Sequence, residues 1–540
     1  MTRTVEEIAR GLAAPRPGRP IPAGERIHIL GVRGAAAASA ALLAHAAGAR
    51  VDGCDTGGPG PYTPELDAVG IAIAAGHDVA HVVRPDGTAA VAVCAVTKAI
   101  TSVAPDLPEL HAAHAAGIDL VSCQQLIADA VATRGLRTIA AAGTHGKSTT
   151  SGWLVHLLVE GGRDPSAFVG ALMPAALTGG VPSTVRLGDG PDFVVEADEY
   201  AGNFDPYRPA VGVLLNADWD HPDVFADREA VVVAFERWIR QFDGGAEPPV
   251  LAINVGDAGA ADVARRLRDW PGRLVGFQVL AASAPGLADD RPEPDAALAA
   301  IRDAYATALG PADALVAVLD VDDAGTSRLT LRGLPAGPGS RTATLALVGR
   351  HYADDALGAA AGALAAGVSP EAVVRGLATF PGVGRRFELK GEIGGVVVLD
   401  DYGHHPTAIA ATLDAVRLRY PGRRVWAVYE PLTYHRTAAM LEQFADVLAS
   451  RADRVAIAEI YAVRDPDTTI TSAAALASAV NQRAGAPAIA PGSVEETADA
   501  VAADLVGGDV VLVLGGGRSY VLAERLVDLL SGRDPDAATE

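Results

Sequence analysis

The sequence predicts an α/β protein of three domains with mainly parallel sheets, on three observations. The chain has 540 residues, and roughly 100–200 residues per domain gives about three domains. Short apolar runs alternate with alanine-rich stretches throughout, the pattern of repeated strand–helix–strand units. Glycine turns at Gly31 and Gly143 each follow an apolar run and precede a helical stretch, as a parallel strand handing over to a helix requires.

Each element then takes its place in order. The first block opens with a strand at 27–30, a glycine turn, a helix over 35–47 and a short strand at 50–51 leading to Gly53-Cys54-Asp55. The second begins with Thr138-Ile139-Ala140, followed by a helix over 151–160. Residues 281–295 and 333–342, rich in Pro, Gly, Asp and Ala, read as surface loops. Between them, 315–321 and 328–332 read as a hairpin-like insertion. The third block has expected strands at 396–399, 425–429, 455–458 and 510–514. The domains are therefore expected at 1–137, 138–383 and 384–540.

Composition excludes several classes. A net charge of −22 leaves no general basic surface to displace counterions, so neither nucleic acid nor an anionic membrane is an expected partner. Phosphates need a local, preorganised pocket instead. Cys54, Cys94 and Cys123 are widely spaced, with neither a disulfide framework nor zinc spacing in the sequence, which suits a reducing cytosol. Residues 1–22 hold no apolar signal core, and the apolar stretch 35–47 is shorter than the roughly 20 residues a bilayer needs. The expected location is cytoplasmic.

The most informative segment is Gly143-Thr144-His145-Gly146-Lys147-Ser148-Thr149, between a strand and a helix. Glycines let backbone N–H groups face phosphates, a lysine reaches the terminal phosphates, and a serine hydroxyl can ligate Mg²⁺. Ala141 stands where the usual phosphate loop has its first glycine. Two strand ends supply acids nearby. One runs Phe193-Val194-Val195-Glu196, then Asp198-Glu199-Tyr200, and the other reaches Asn216, Asp218, Asp220 and His221. Oxygen ligands with one imidazole at adjacent strand ends make a credible Mg²⁺ site.

The motifs G-T-H-G-K-S-T, E-A-D-E-Y and L-N-A-D-W-D-H-P-D, in this order, resemble the Mur ligases of peptidoglycan synthesis. Gly349-Arg350-His351, the hinge-like segment at 380–388 (F-P-G-V-G-R-R-F-E) and D-D-Y-G-H-H-P-T at 400–407 agree. The last resembles the branch that adds L-alanine to UDP-N-acetylmuramate, to which murein-tripeptide recycling ligases are close. The resemblance implies a Rossmann-like UDP-sugar domain, a central phosphate-loop ATPase domain and a Rossmann-like C-terminal domain for the amine. It implies ATP and Mg²⁺, an acyl-phosphate route, UDP-N-acetylmuramate with L-alanine or another amine as partners, and a monomer or homodimer.

Carried over residue by residue, Lys147 would hold the β/γ-phosphates. Ser148 and Glu196 would bind the Mg²⁺ shared with ATP, and His221 a second metal. Tyr402, His404, His405 and Arg436 would line the amine site, the planar Arg436 fork suiting a carboxylate. Gly31, Gly34 and Asp55 resemble the family's diphosphate-binding start, a pattern that read alone also fits a nicotinamide-type site.

Several positions depart from the branch. Its Q-P-H is here Glu430-Pro431-Leu432, with a histidine instead at His435. The two asparagines it presents to adenine are Tyr352 and Asp355. Arg33 and Ala35 replace small or glycine positions in the first turn. A different amine, such as a murein tripeptide, and a degenerate homologue that only binds are therefore the competing expectations.

Overall fold

The computed structural model describes residues 2–281, 292–322, 325–335, 339–463, 465 and 467–532. Of the two expected surface loops, 282–291 and 336–338 lie outside the described residues. The first loop's far end is already helical, in Pro294–Ala304.

Three main sheets follow one another along the chain, with a two-stranded antiparallel ribbon at Ala306–Thr307 and Gly310–Pro311 besides them among the described residues. The first is wholly parallel, in the order Ala72–Ala75, Arg50–Asp55, Arg26–Leu30, Val93–Val96, Asp119–Ser122. Strand order reverses between Arg26–Leu30 and Val93–Val96, so the loops after these strands, at Gly31–Gly34 and Thr97–Lys98, flank a crevice suited to a ligand.

The second sheet has ten strands. Its phosphate-loop strand, Arg137–Ala142, lies between Asp192–Ala197 and Val211–Leu214, both parallel to it. That adjacency brings the acidic strand ends beside the phosphate loop. The expected hairpin is real, pairing Asp313–Val321 with Ser327–Arg332. It is not an insertion, because Asp313–Val321 also pairs parallel with Arg273–Ala281 and extends the main sheet.

In the third sheet Val396–Asp401, Val510–Gly515, Val425–Glu430, Arg454–Ile457 and Ala488–Ile489 run parallel. Glu388–Ile393 adds an antiparallel edge that the sequence pattern did not reveal. Its residues are mostly half-exposed, so no apolar run marks it. Separate apolar clusters cover the two faces of this sheet, which explains its near-continuous Val/Leu runs.

Candidate active site

The helix at the phosphate loop spans Lys147–Glu160, starting four residues before the expected 151. Gly146 caps it at φ 84°, so Lys147 and Ser148 occupy the first turn, among the free N–H groups that attract anions. A Cβ on Gly146 would stand 2.1 Å from Asp355 Oδ1, and Gly143 adopts φ 143° against Leu215 and Asn216. Both glycines are therefore sterically required. Ala141 needs no such freedom, because it lies buried inside the strand.

The loop is braced by the neighbouring strand end. Asn216 Oδ1 accepts from His145 N at 2.8 Å, and Thr144 Oγ1 accepts from Asp218 N at 3.0 Å. Thr149 is buried in the first helical turn. Lys147 Nζ donates to Gly143 O and to Glu199 Oε2, each at 2.8 Å, with Asp198 Oδ1 at 3.7 Å. Burial opposes its charge, but Glu199 and Asp198 outweigh it and hold the lysine pKa above its ordinary value.

The expected metal ligands fall into two adjoining groups. Ser148 Oγ donates to Glu196 Oε1 at 3.1 Å, while Glu196 Oε2 accepts from Gly170 N at 2.7 Å. His221 gathers instead with Asp198 and Glu199, their donor atoms all within 4.8 Å of one another. Glu199 Oε1 is buried and has no hydrogen-bond partner, so a cation there would satisfy it. The oxygen-rich donor set fits Mg²⁺. The family resemblance assigned neither Asp198 nor Glu199 a ligand role, although both belong to the acidic strand end expected to serve Mg²⁺.

Sequence reasoning missed Arg386, which donates from Nη2 to Ser148 Oγ at 3.0 Å across the hinge. Its guanidinium lies 5.0 Å from the Tyr402 ring centroid. Flanking residues Arg385 and Phe387 sit at φ 57° and 54°, a strained linker that aims Arg386 into the cleft. The paired arginines in so acidic a chain were the available signal.

Where the resemblance places adenine, the Tyr352 and His351 rings lie tilted to each other, with centroids 4.0 Å apart. Burial, with Asp354 nearby, pushes the Asp355 carboxyl well above the ordinary range despite Arg386. A carboxylic acid has one O–H donor beside its acceptor oxygen, which is the hydrogen-bonding pair an asparagine amide would offer.

The residues expected at the amine site bridge the second and third sheets. Arg436, 1% exposed, donates from Nε to Asp220 Oδ1 at 2.7 Å, and its Nη2 stands 3.4 Å from His221 Nδ1. Burial works against the Asp220 charge, yet Arg436 and the surrounding histidines hold its pKa well below the usual range. His405 Nε2 lies 3.1 Å from Trp219 O, and its Nδ1 accepts from Thr407 N as the cap of helix Pro406–Arg419. His404 Nδ1 faces Tyr402 O at 3.0 Å, and burial next to Arg436 depresses its pKa, keeping it neutral.

His435 does not replace the missing histidine. It turns toward Asp465 Oδ1, 2.8 Å away, and lines no part of the cleft, whereas Leu432 does. Glu430 accepts from Arg518 N and Ser519 N at the start of helix Ser519–Leu530, where a carboxylate complements the helix dipole.

At the far end, Gly34 begins helix Ala35–Ala46 without a side-chain cap, leaving its amides open to an anion. Gly31 takes φ 68°, and a Cβ there would lie 2.5 Å from Ile100 Cδ1. Asp55 braces the turn, accepting from Arg33 N at 2.9 Å and Gly57 N at 2.8 Å. Arg33, Gly34 and the buried Lys98 share one cavity of about 870 Å³ with Lys147, Glu196, His221, Tyr402 and Arg436.

Residues 26–134 match the family model described as Mur ligase family, catalytic domain, and 385–517 that described as Mur ligase, glutamate ligase domain. The UDP-N-acetylmuramate–L-alanine ligase of Kineococcus radiotolerans is 36% identical over 509 residues, covering 94% of this chain and 97% of its own. That of Roseiflexus sp. is 33% identical, covering 93% and 98%. Two solved structures share the fold. The UDP-N-acetylmuramate–alanine ligase of Thermotoga maritima has a TM-score of 0.70 at 20% identity, covering 94% of this chain and 99% of that one. A murein peptide ligase from Psychrobacter arcticus has a TM-score of 0.66 at 23% identity, covering 95% and 100%.

Proposed function

The chain belongs to the Mur ligase family, and from that premise we propose that it joins L-alanine to UDP-N-acetylmuramate, using ATP, in peptidoglycan precursor synthesis. The observation that carries the reading is the single cleft in which the phosphate loop, the acidic strand ends and the Tyr402–His405 loop meet.

A carboxylate at neutral pH is a poor electrophile, so the sugar carboxylate first takes the γ-phosphoryl group of ATP, releasing ADP. The amine then attacks the acyl carbon of that mixed anhydride, phosphate leaves with the bonding pair, and the amine loses a proton. Most of the catalysis is alignment and charge neutralisation. Lys147 exchanges Glu199 for the incoming phosphates, and the first-turn amides of Lys147–Glu160 add their dipoles. Arg386, beside Ser148, approaches the same charge from the C-terminal domain. Mg²⁺, held by Ser148 and Glu196 with a second ion at Asp198, Glu199 and His221, would neutralise phosphate charge.

The turn at Gly31–Gly34 is the proposed diphosphate seat of the UDP-sugar, and the three sheets support reading 1–137, 138–383 and 384–540 as the sugar, ATP and amine domains. Every group named comes from one chain, so a monomer suffices, and monomer or homodimer is the proposed assembly. The proposed location is the cytoplasm; no helix among the described residues is long and apolar enough to cross a membrane.

Leu432 favours a second reading, in which the amine is a peptide such as the murein tripeptide. Phosphate release with UDP-N-acetylmuramate and a panel of amino acids and peptides decides between them. Turnover with L-alanine is expected. Turnover only with a tripeptide supports the second reading, and no amine-dependent turnover defeats both.

A further inference from the structure

The first sheet has two faces, and only one packs on helix Ala35–Ala46. On the other, His28 lies opposite Asp52 in register, with Cys54 one pleat further on the same face. The short 3₁₀ turn Val79–His81 and the first turn of helix Pro108–Ala115 close over them, contributing His81 and Glu109. His28, Cys54 and Glu109 are 2%, 0% and 1% exposed.

We propose that His28, Cys54, His81 and Glu109 form a structural zinc site in the N-terminal domain. The donor atoms of all four lie within 4.8 Å of one another. His28 Nε2 is 3.3 Å from Cys54 Sγ and 3.4 Å from Glu109 Oε1. Cys54 Sγ is 3.7 Å from the Glu109 oxygens, and His81 Nδ1 is 2.9 Å from Glu109 Oε1. A tetrahedral ion with bonds of about 2.0–2.3 Å separates its ligands by roughly 3.3–3.6 Å, so little movement is needed.

The chemistry of the set selects the ion. One thiolate, two imidazoles and one carboxylate are zinc donors, and a buried sulfur ligand disfavours Mg²⁺. On binding, the Cys54 thiol proton and the Nε2 proton of His28 leave to water, so thiolate and carboxylate supply two negative charges against the divalent cation. Asp52 Oδ1 lies 2.5 Å from His28 Nδ1 and aims the opposite nitrogen, Nε2, at the site, as carboxylates do behind metal-bound histidines. His77 Nδ1, 3.2 Å from Cys54 Sγ and 3.3 Å from Glu109 Oε2, stands at the rim as a fifth donor.

The site would fix the sugar-facing turn. Cys54 O accepts from Gly31 N at 2.8 Å and Val32 N at 3.2 Å, and the next residue is Asp55. An ion on the Cys54 side chain therefore anchors the strand end on which that turn is built. The ligands are spaced one per successive strand-and-connection unit, which is why no short zinc motif marks them.

The test uses the full chain expressed with zinc and purified without chelator, its metal measured by inductively coupled plasma mass spectrometry. About one zinc per chain is expected, lost in Cys54→Ser and His81→Gln and kept in His221→Ala. Cobalt added to stripped protein should give a thiolate-to-cobalt charge-transfer band, absent in Cys54→Ser. Chelation should lower the melting temperature of the wild type more than that of His81→Gln. A folded wild type that takes up no zinc overturns the proposal, as does zinc kept by Cys54→Ser or lost from His221→Ala.

Discussion

The phosphate end and the amine end of the cleft both hold buried charge, but by different means. At the phosphate end, the groups come from neighbouring strands of one sheet, and the loop conformation is set by Gly143 and Gly146. Lys147 is held by side chains that a nucleotide can displace. At the amine end, Arg436 reaches across a domain boundary to Asp220, and His405 reaches Trp219 O. There the charges tie domains together before any substrate is bound. The first end is a preorganised receptor; the second is a joint that also serves as a receptor.

The sharpest way to break this contrast is at Lys147. Lys147→Ala removes the cation facing the β/γ-phosphates and should cut amine-dependent phosphate release by about 10³-fold, as losing one preorganised charge donor does. Its fold should survive, because the glycines and the Asn216 brace shape the loop. Equal loss of stability and activity would mean that Lys147 is part of the scaffold.

Arg436→Ala should instead act on stability. It strands the buried Asp220 carboxylate, which costs about 3–5 kcal/mol when one partner of a buried pair is removed. Replacing both, with Arg436→Met and Asp220→Leu, should recover most of that loss in denaturant unfolding while activity stays low. Activity returning with stability would reduce Arg436 to a joint.

Legibility in the sequence follows the same division. The phosphate loop was readable because glycine conformation, lysine and serine sit within seven consecutive residues. The central strands of the third sheet were readable from their buried, near-continuous apolar runs, whereas Arg50–Asp55, carrying Asp52 and Gly53, was legible only at its first two residues. The antiparallel strand Glu388–Ile393 was not, being half-exposed. Arg436 was placed at the amine site from its motif, but its pairing with Asp220 joins residues 216 positions apart, and no local pattern encodes that. Arg386 was visible as a residue and invisible as a ligand of Ser148, since only the strained hinge brings them together. His28, Cys54, His81 and Glu109 were likewise scattered, and the expectation of no zinc spacing concerned only short motifs.

A smaller effect is expected at Leu432, where the family resemblance led to the expectation of a histidine. Leu432→His restores a donor facing the cleft beside Arg436 and should lower the KM for L-alanine about tenfold, the worth of one hydrogen bond to a charged group. The ATP dependence should stay put. If KM for ATP moves equally, the two ends are coupled and the contrast drawn above fails.

Least perturbing at neutral pH is Asp355→Asn. Burial beside Asp354 raises the Asp355 carboxyl well above its ordinary range and so favours its protonated form. The amide therefore reproduces the donor and acceptor already present. The KM for ATP should change less than about threefold, below ~0.7 kcal/mol. The pH dependence separates the two side chains. As pH rises, the wild type ionises Asp355, loses its donor and gains a negative charge against Gly146 of the phosphate loop. Its KM for ATP should therefore climb with alkaline pH, whereas that of Asp355→Asn stays flatter over the same range. An identical rise in both would assign the titration elsewhere and leave Asp355 ionised throughout, in which case the asparagine should bind ATP more tightly even at neutral pH.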